Sequence, residues 1–165
     1  MRLAEFILAN IDRIMQKWED FARSLPPASA MTVSRLRDDA ERMLRFIAND
    51  METRQTGREQ FEKSIGAGPQ PSRHDPSAAQ DHGIARAEDR FSLSELVAEY
   101  RALRASVLSL WLNSPDADND MQQAIRFDEA VDQLIAESVQ RYSAKLDGDA
   151  NTTLRPPLAT ICATR

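Results

Sequence analysis

Three ionisable residues stand on or beside the apolar stripes of helical runs. Arg104 falls between Tyr100 and the Val107–Leu108 pair, Glu99 borders the same face between Leu96 and Leu103, and Asp128 lies between Ile125 and the Val131–Ile135 positions of a later run. A buried ion is costly unless it is paired, so each such residue needs a partner or a route to water. The expected arrangement is a network of ion pairs and hydrogen bonds that fixes helix register. Two alternatives stay open: an Arg104 whose head reaches solvent along its own stem, and a polar ligand pocket that these groups line with Tyr100 and Trp111. His82 and Arg86, one helical turn apart, make a second constellation with Glu95 and Glu99. A histidine there can change charge near neutral pH and act as a sensor, the simpler reading being an exposed or helix-capping ring.

Most other chemistries lack parts. The only cysteine is Cys162 and the only histidines are His74 and His82, so neither a disulfide nor a zinc or haem site of ordinary ligand spacing is expected. Ser106 and Ser109 sit on a helix with no His/Asp partner in the pattern, and no strand leads into a glycine-rich phosphate loop. The chain is therefore read as non-enzymatic, with no cofactor and no metal. Its 21 Lys+Arg against 26 Asp+Glu, a net charge of −5, argue against non-specific nucleic-acid binding. Apolar runs are far shorter than the roughly 20 residues of a bilayer span, and charges are scattered through the first 25 residues, unlike a secretory signal. The expectation is a cytoplasmic domain without membrane insertion.

These residues must be held by helices. Leu3, Phe6, Ile7, Ile11, Ile14, Met15, Trp18, Phe21 and Leu25 form one stripe on a long first helix closed by Pro26-Pro27. A second stripe runs from Leu36 to Met51, capped by Thr32 or Ser34, and Thr56 with Glu59 makes a capping box for a short continuation. Residues 66–77, rich in proline and glycine, read as a loop before a weakly patterned helix at 78–90. Ser92 and Glu95 cap the next helix, which carries Leu96, Tyr100, Leu103, Val107 and Trp111, and a last helix spans about 118 to 146. The fold class is all-α: a compact bundle of five to six helices over residues 1–146, with long terminal helices and a flexible tail at 147–165.

The run from His82-Gly83-Ile84-Ala85-Arg86 through Phe91-Ser92-Leu93-Ser94-Glu95 to Trp111 resembles the helical N-terminal sensor domain of bacterial histidine kinases. That module is similar to the N-terminal domain of RsbR-type stressosome co-antagonists. Leu3-Ala4-Glu5-Phe6-Ile7 with Asn10-Ile11 and Trp18-Glu19, and Arg126–Gln133 with Glu137-Ser138-Val139, resemble its first and last helices. The resemblance covers about residues 1–146. It implies a globin-like fold without haem and a role in two-component or stress signalling. In such kinases the last helix continues into a phosphoacceptor pattern; here Leu154-Arg155-Pro156-Pro157-Leu158 resembles its end, with Thr152 in the place of the acceptor histidine.

The resulting expectation is a non-catalytic sensory or signal-relay domain that forms a homodimer and passes a conformational change through its C-terminal helix. Its output is a C-terminal kinase or another signalling partner. Phe6, Leu8 and Phe127, which fit the stripes imperfectly, are expected to be exposed and to assist dimerisation. The alternative is a globin-like carrier holding a small molecule or cofactor near Tyr100, Arg104 and Trp111.

Overall fold

The apolar stripe of the N-terminus is continuous, yet the helix that carries it is not. The computed structural model describes residues 1–71 and 76–153. Helix α1 (Leu3–Ala9) stops at Asn10, whose side-chain amide donates to the Phe6 carbonyl at 2.9 Å, and α2 (Ile11–Ala22) restarts at once. A short polar side chain that bonds nearby backbone competes with the helical ladder, and here it resets the axis without moving the stripe. Leu3, Phe6, Ile7, Ile14, Met15 and Trp18 are all buried. The expected exposure of Phe6 is thus corrected: it is a core residue, and Leu8 alone of the two on α1 faces solvent.

A 3-10 turn at Pro26–Ala30 leads to α3 (Val33–Glu52), where the Thr32 hydroxyl accepts from the Arg35 amide. The capping box of Thr56 and Glu59 opens α4 (Gly57–Ser64), and a box of Ser77 and Gln80 opens α5 (Ala78–Glu88). Ser92 and Glu95 open α6 (Leu93–Leu112), and α7 runs from Met121 to Thr153. Every regular element among the described residues is helical. None of these helices is long and apolar enough to cross a membrane.

The last helix organises the bundle. α7 packs most extensively on α5 and also touches α3, α4 and α6, while α1 lies on α3 and α2 on α6. Gly83 permits the α5–α7 approach: a Cβ there would stand 2.2 Å from the Ser138 carbonyl oxygen. At the end of α4, Gly66 has φ +68° and its Cβ would meet that of Ala136 at 2.5 Å, so both conformation and space require glycine.

The core face of α7 is Phe127, Ala130, Val131, Leu134 and Tyr142, interleaved with buried Gln133, Glu137 and Ser138. Phe127 is therefore wholly enclosed, contrary to its expected exposure, and Ile125 turns to solvent at 44% exposed. α7 also continues beyond residue 146, through Gly148 to Thr153, and residues 146–151 are all exposed. The proline-containing segment after Thr153, Cys162 and His74 lie outside the described residues.

Candidate functional site

The α5–α6 corner builds the site. α5 ends at Asp89, Arg90 takes a left-handed φ of 62°, and the Phe91 amide bonds back to the Arg86 carbonyl at 3.0 Å. This tight reversal lays α6 beside α5, so that Glu99 faces the turn of α5 carrying His82 and Arg86. All three side chains are at most 1% exposed.

Glu99 is the hub. Its Oε2 lies 2.9 Å from His82 Nε2, and Arg86 Nε donates to both carboxylate oxygens, at 2.9 and 3.1 Å. Burial alone would push the Glu99 carboxyl up, but His82 and Arg86 together outweigh it and hold the group below the usual carboxylate range. Arg86 also donates from Nη2 to the Leu36 carbonyl at 3.3 Å, and its guanidinium sits 4.8 Å over the Phe91 ring. On the far side of the imidazole, Asp39 of α3 places Oδ2 3.9 Å from Nδ1, a nitrogen with no hydrogen bond. Burial, opposed chiefly by His82, raises the Asp39 carboxyl.

Tyr100 connects this cluster to α7. Its ring meets the His82 ring edge-on, with centroids 5.8 Å apart and planes at 85°. Its hydroxyl contacts Ser138 Oγ, and the Ser138 hydroxyl donates to the Ala79 carbonyl. Each hydroxyl has one proton, so the chain that satisfies both runs from Tyr100 through Ser138 to Ala79, with Met43 Sδ 3.1 Å from the phenol oxygen. Full burial pushes the phenol far up, which keeps it a neutral donor. Trp18 closes the base, its indole N–H donating to the Glu99 carbonyl at 3.0 Å.

A neighbouring set of polar bonds fastens the same half of α7. The Glu137 carboxylate accepts from the Ser77 hydroxyl and from Gln133 Nε2 at 3.0 Å, and Gln133 Oε1 accepts from the Gly68 amide at 2.9 Å. One turn further on, the Tyr142 hydroxyl donates to the Phe91 carbonyl at 2.8 Å. These residues were absent from the sequence-based site, although Phe127, Val131 and Leu134 continue at helical spacing onto Glu137 and Ser138.

The structure thus joins four of the seven candidates, His82, Arg86, Glu99 and Tyr100, and places the others elsewhere. Arg104 pairs with Asp128 at 3.0 Å and Asp132 at 2.6 Å, and all three side chains are about a third exposed or more. Asp128 is therefore not a core ion: it turns outward with Ile125, because the core face of α7 is centred on Phe127 and Val131. Burial and the Asp132 charge raise its carboxyl against the pull of Arg104. Trp111 is buried at the opposite end of α6, where its N–H donates to the Met1 carbonyl at 3.3 Å. Tyr100, Arg104 and Trp111 do not converge on one pocket. Trp18, Met43, His82, Glu99, Tyr100 and Leu103 leave no space between them for a water-sized sphere.

The arrangement can carry charge and hydrogen bonds between helices. Among the described residues no cluster of three or more His, Cys, Asp or Glu side chains has the layout of a metal site. No curated protein and no solved structure matches the chain. A family model described as the N-terminal domain of the RsbT co-antagonist protein rsbRD matches residues 9–153, the span from the end of α1 to the end of α7, and the chain belongs to that family.

Proposed function

We propose that this regulatory, stress-signalling domain is a non-catalytic relay, in which the helices around the buried cluster set the position of α7 and α7 delivers that position to a C-terminal partner. The observation that carries the reading is the double character of α7. Its inner half is pinned by side-chain hydrogen bonds to the 66–68 loop, to α5, to α6 and to the α5–α6 corner. Its outer end, residues 146–151, is exposed. A helix held by discrete bonds along its middle and exposed towards its C-terminus can transmit a shift or rotation along its axis.

The partner in this reading is a kinase or another signalling protein, acting in the cytoplasm, and the domain works as a homodimer. Exposed Leu8, Ile125 and Leu146 supply apolar surface for that association. Hydrogen–deuterium exchange on the Y100F variant tests the relay. Loss of the hydroxyl should raise exchange in α7 on both sides of Ser138, out to residues 143–153; a change confined to the α5–α6 corner would sink it. Light scattering at high micromolar concentration should give twice the 18.6 kDa chain mass, and a monomer would remove the dimer from the reading.

A further inference from the structure

Around His82 four carboxylates, of Asp39, Asp81, Asp89 and Glu99, stand against three guanidinium groups, of Arg35, Arg42 and Arg86. Arg86 neutralises Glu99, and Arg35 neutralises Asp89 at 2.7 Å. Arg42, by contrast, is shared between Asp39 at 3.2 Å and Asp81 at 3.1 Å, so one carboxylate is left without a cation. On α2, Glu19 is held by Arg23 and Arg37, and on α7, Glu137 is held by the neutral donors of Ser77 and Gln133. The imidazole lies between Glu99 on one nitrogen and Asp39 on the other, and the unbonded Nδ1 is the atom that points at the surplus charge.

We propose that His82 is a proton-binding switch of the relay: as imidazolium it ties Asp39 of α3 to Glu99 of α6, and on losing its Nδ1 proton it lets go of Asp39 and loosens α3 on the α5–α6 pair, where Arg35, Arg42 and Arg86 still hold it. The step is a simple proton exchange with solvent at Nδ1. Nε2 keeps its hydrogen on Glu99 throughout, so the α5–α6 contact survives while the Asp39 contact does not. The Asp39 side chain is mostly covered but keeps 18% of its surface exposed, which gives the proton a path. The consequence at α7 rests on the relay reading and runs through the Tyr100 ring, which packs on His82 and bonds Ser138. Histidine is the side chain whose ordinary charge change falls in the physiological range, so the class of stimulus assigned here is a change in local acidity.

The chain provides its own reporters. With two histidines and two tryptophans, NMR spectra contain two imidazole Cε1–H and two indole N–H signals, and H74A and W111F assign them. On the full chain titrated between about pH 5 and 8, the His82 ring, the Trp18 indole and the Ser138 amide should move with one midpoint. H82Q should abolish the Trp18 and Ser138 transitions, and D39N, at a half-buried position, should weaken proton binding at His82 about tenfold. A His82 signal that stays flat while the protein is folded overturns the proposal, as does proton binding unchanged in D39N. A titrating His82 with a stationary Ser138 amide overturns the link to α7. The relay itself is judged separately, by the Y100F exchange pattern, which involves no titration.

Discussion

Glu99 contacts His82 and pairs with Arg86 through a carboxylate that water cannot reach, so removing its charge affects Arg86 as well. E99Q keeps the shape but leaves a fully buried guanidinium with only Asp89, 4.0 Å away, as counterion, and we expect a loss of about 3 kcal/mol in urea unfolding at neutral pH. The pH dependence follows from its lowered native value. Stability from Glu99 is complete above the unfolded carboxylate value of about 4.3 and is lost as pH falls through the native one. Unfolding midpoints measured from neutral pH down to about 3 should therefore show an acid-limb loss in the wild type that E99Q lacks. Arg104 makes the contrast: its pairs with Asp128 and Asp132 are screened by solvent, and R104A should cost under about 1 kcal/mol. A loss several times larger would mean that the pair is far better shielded than its exposure indicates.

At the scale of elements, the α5–α7 contact depends on one missing side chain. In G83A the new methyl meets backbone, the Ser138 carbonyl, which cannot swing away, so the helices must separate; a destabilisation of about 1–3 kcal/mol is expected. An unchanged melting temperature in G83A would show that the two helices do not approach so closely. Where the sequence could be read at this scale, and where not, has a physical cause. Capping boxes are local, and Thr56 with Glu59 and Ser92 with Glu95 open the helices at the expected residues. The Asn10 break left no mark on the pattern, because the stripe runs on across it. The rotational setting of α7 was misjudged because its core face mixes Gln133, Glu137 and Ser138 with apolar residues. A stripe drawn through apolar residues alone drifted to Ile125 and took Asp128 inward with it. For the site, His82, Arg86, Glu99 and Tyr100 were identifiable as polar residues on or near apolar faces. Their partners Asp39 and Ser138 come from distant parts of the chain, which periodicity cannot pair.

For the whole molecule, the proportions matter. At about 1.5 Å per residue α7 is roughly 50 Å long, against roughly 30 Å for α3 and α6; these helices have 33 residues and 20 each. The excess is the exposed end that a partner would meet, whereas the buried polar bonds lie further in, between Gln133 and Tyr142. That inner stretch has a consequence for the kind of signal the domain can send. A helix seated by apolar side chains alone can creep through many nearly equivalent settings. One residue of rotation is about 100°, and such a turn would take Gln133, Glu137, Ser138 and Tyr142 away from all their partners together. Intermediate settings leave buried donors and acceptors unpaired and are unfavourable for that reason. α7 is thus restricted to a few well-separated seats, and in the proposed relay its output would be stepwise, with a threshold, instead of graded with the strength of the stimulus.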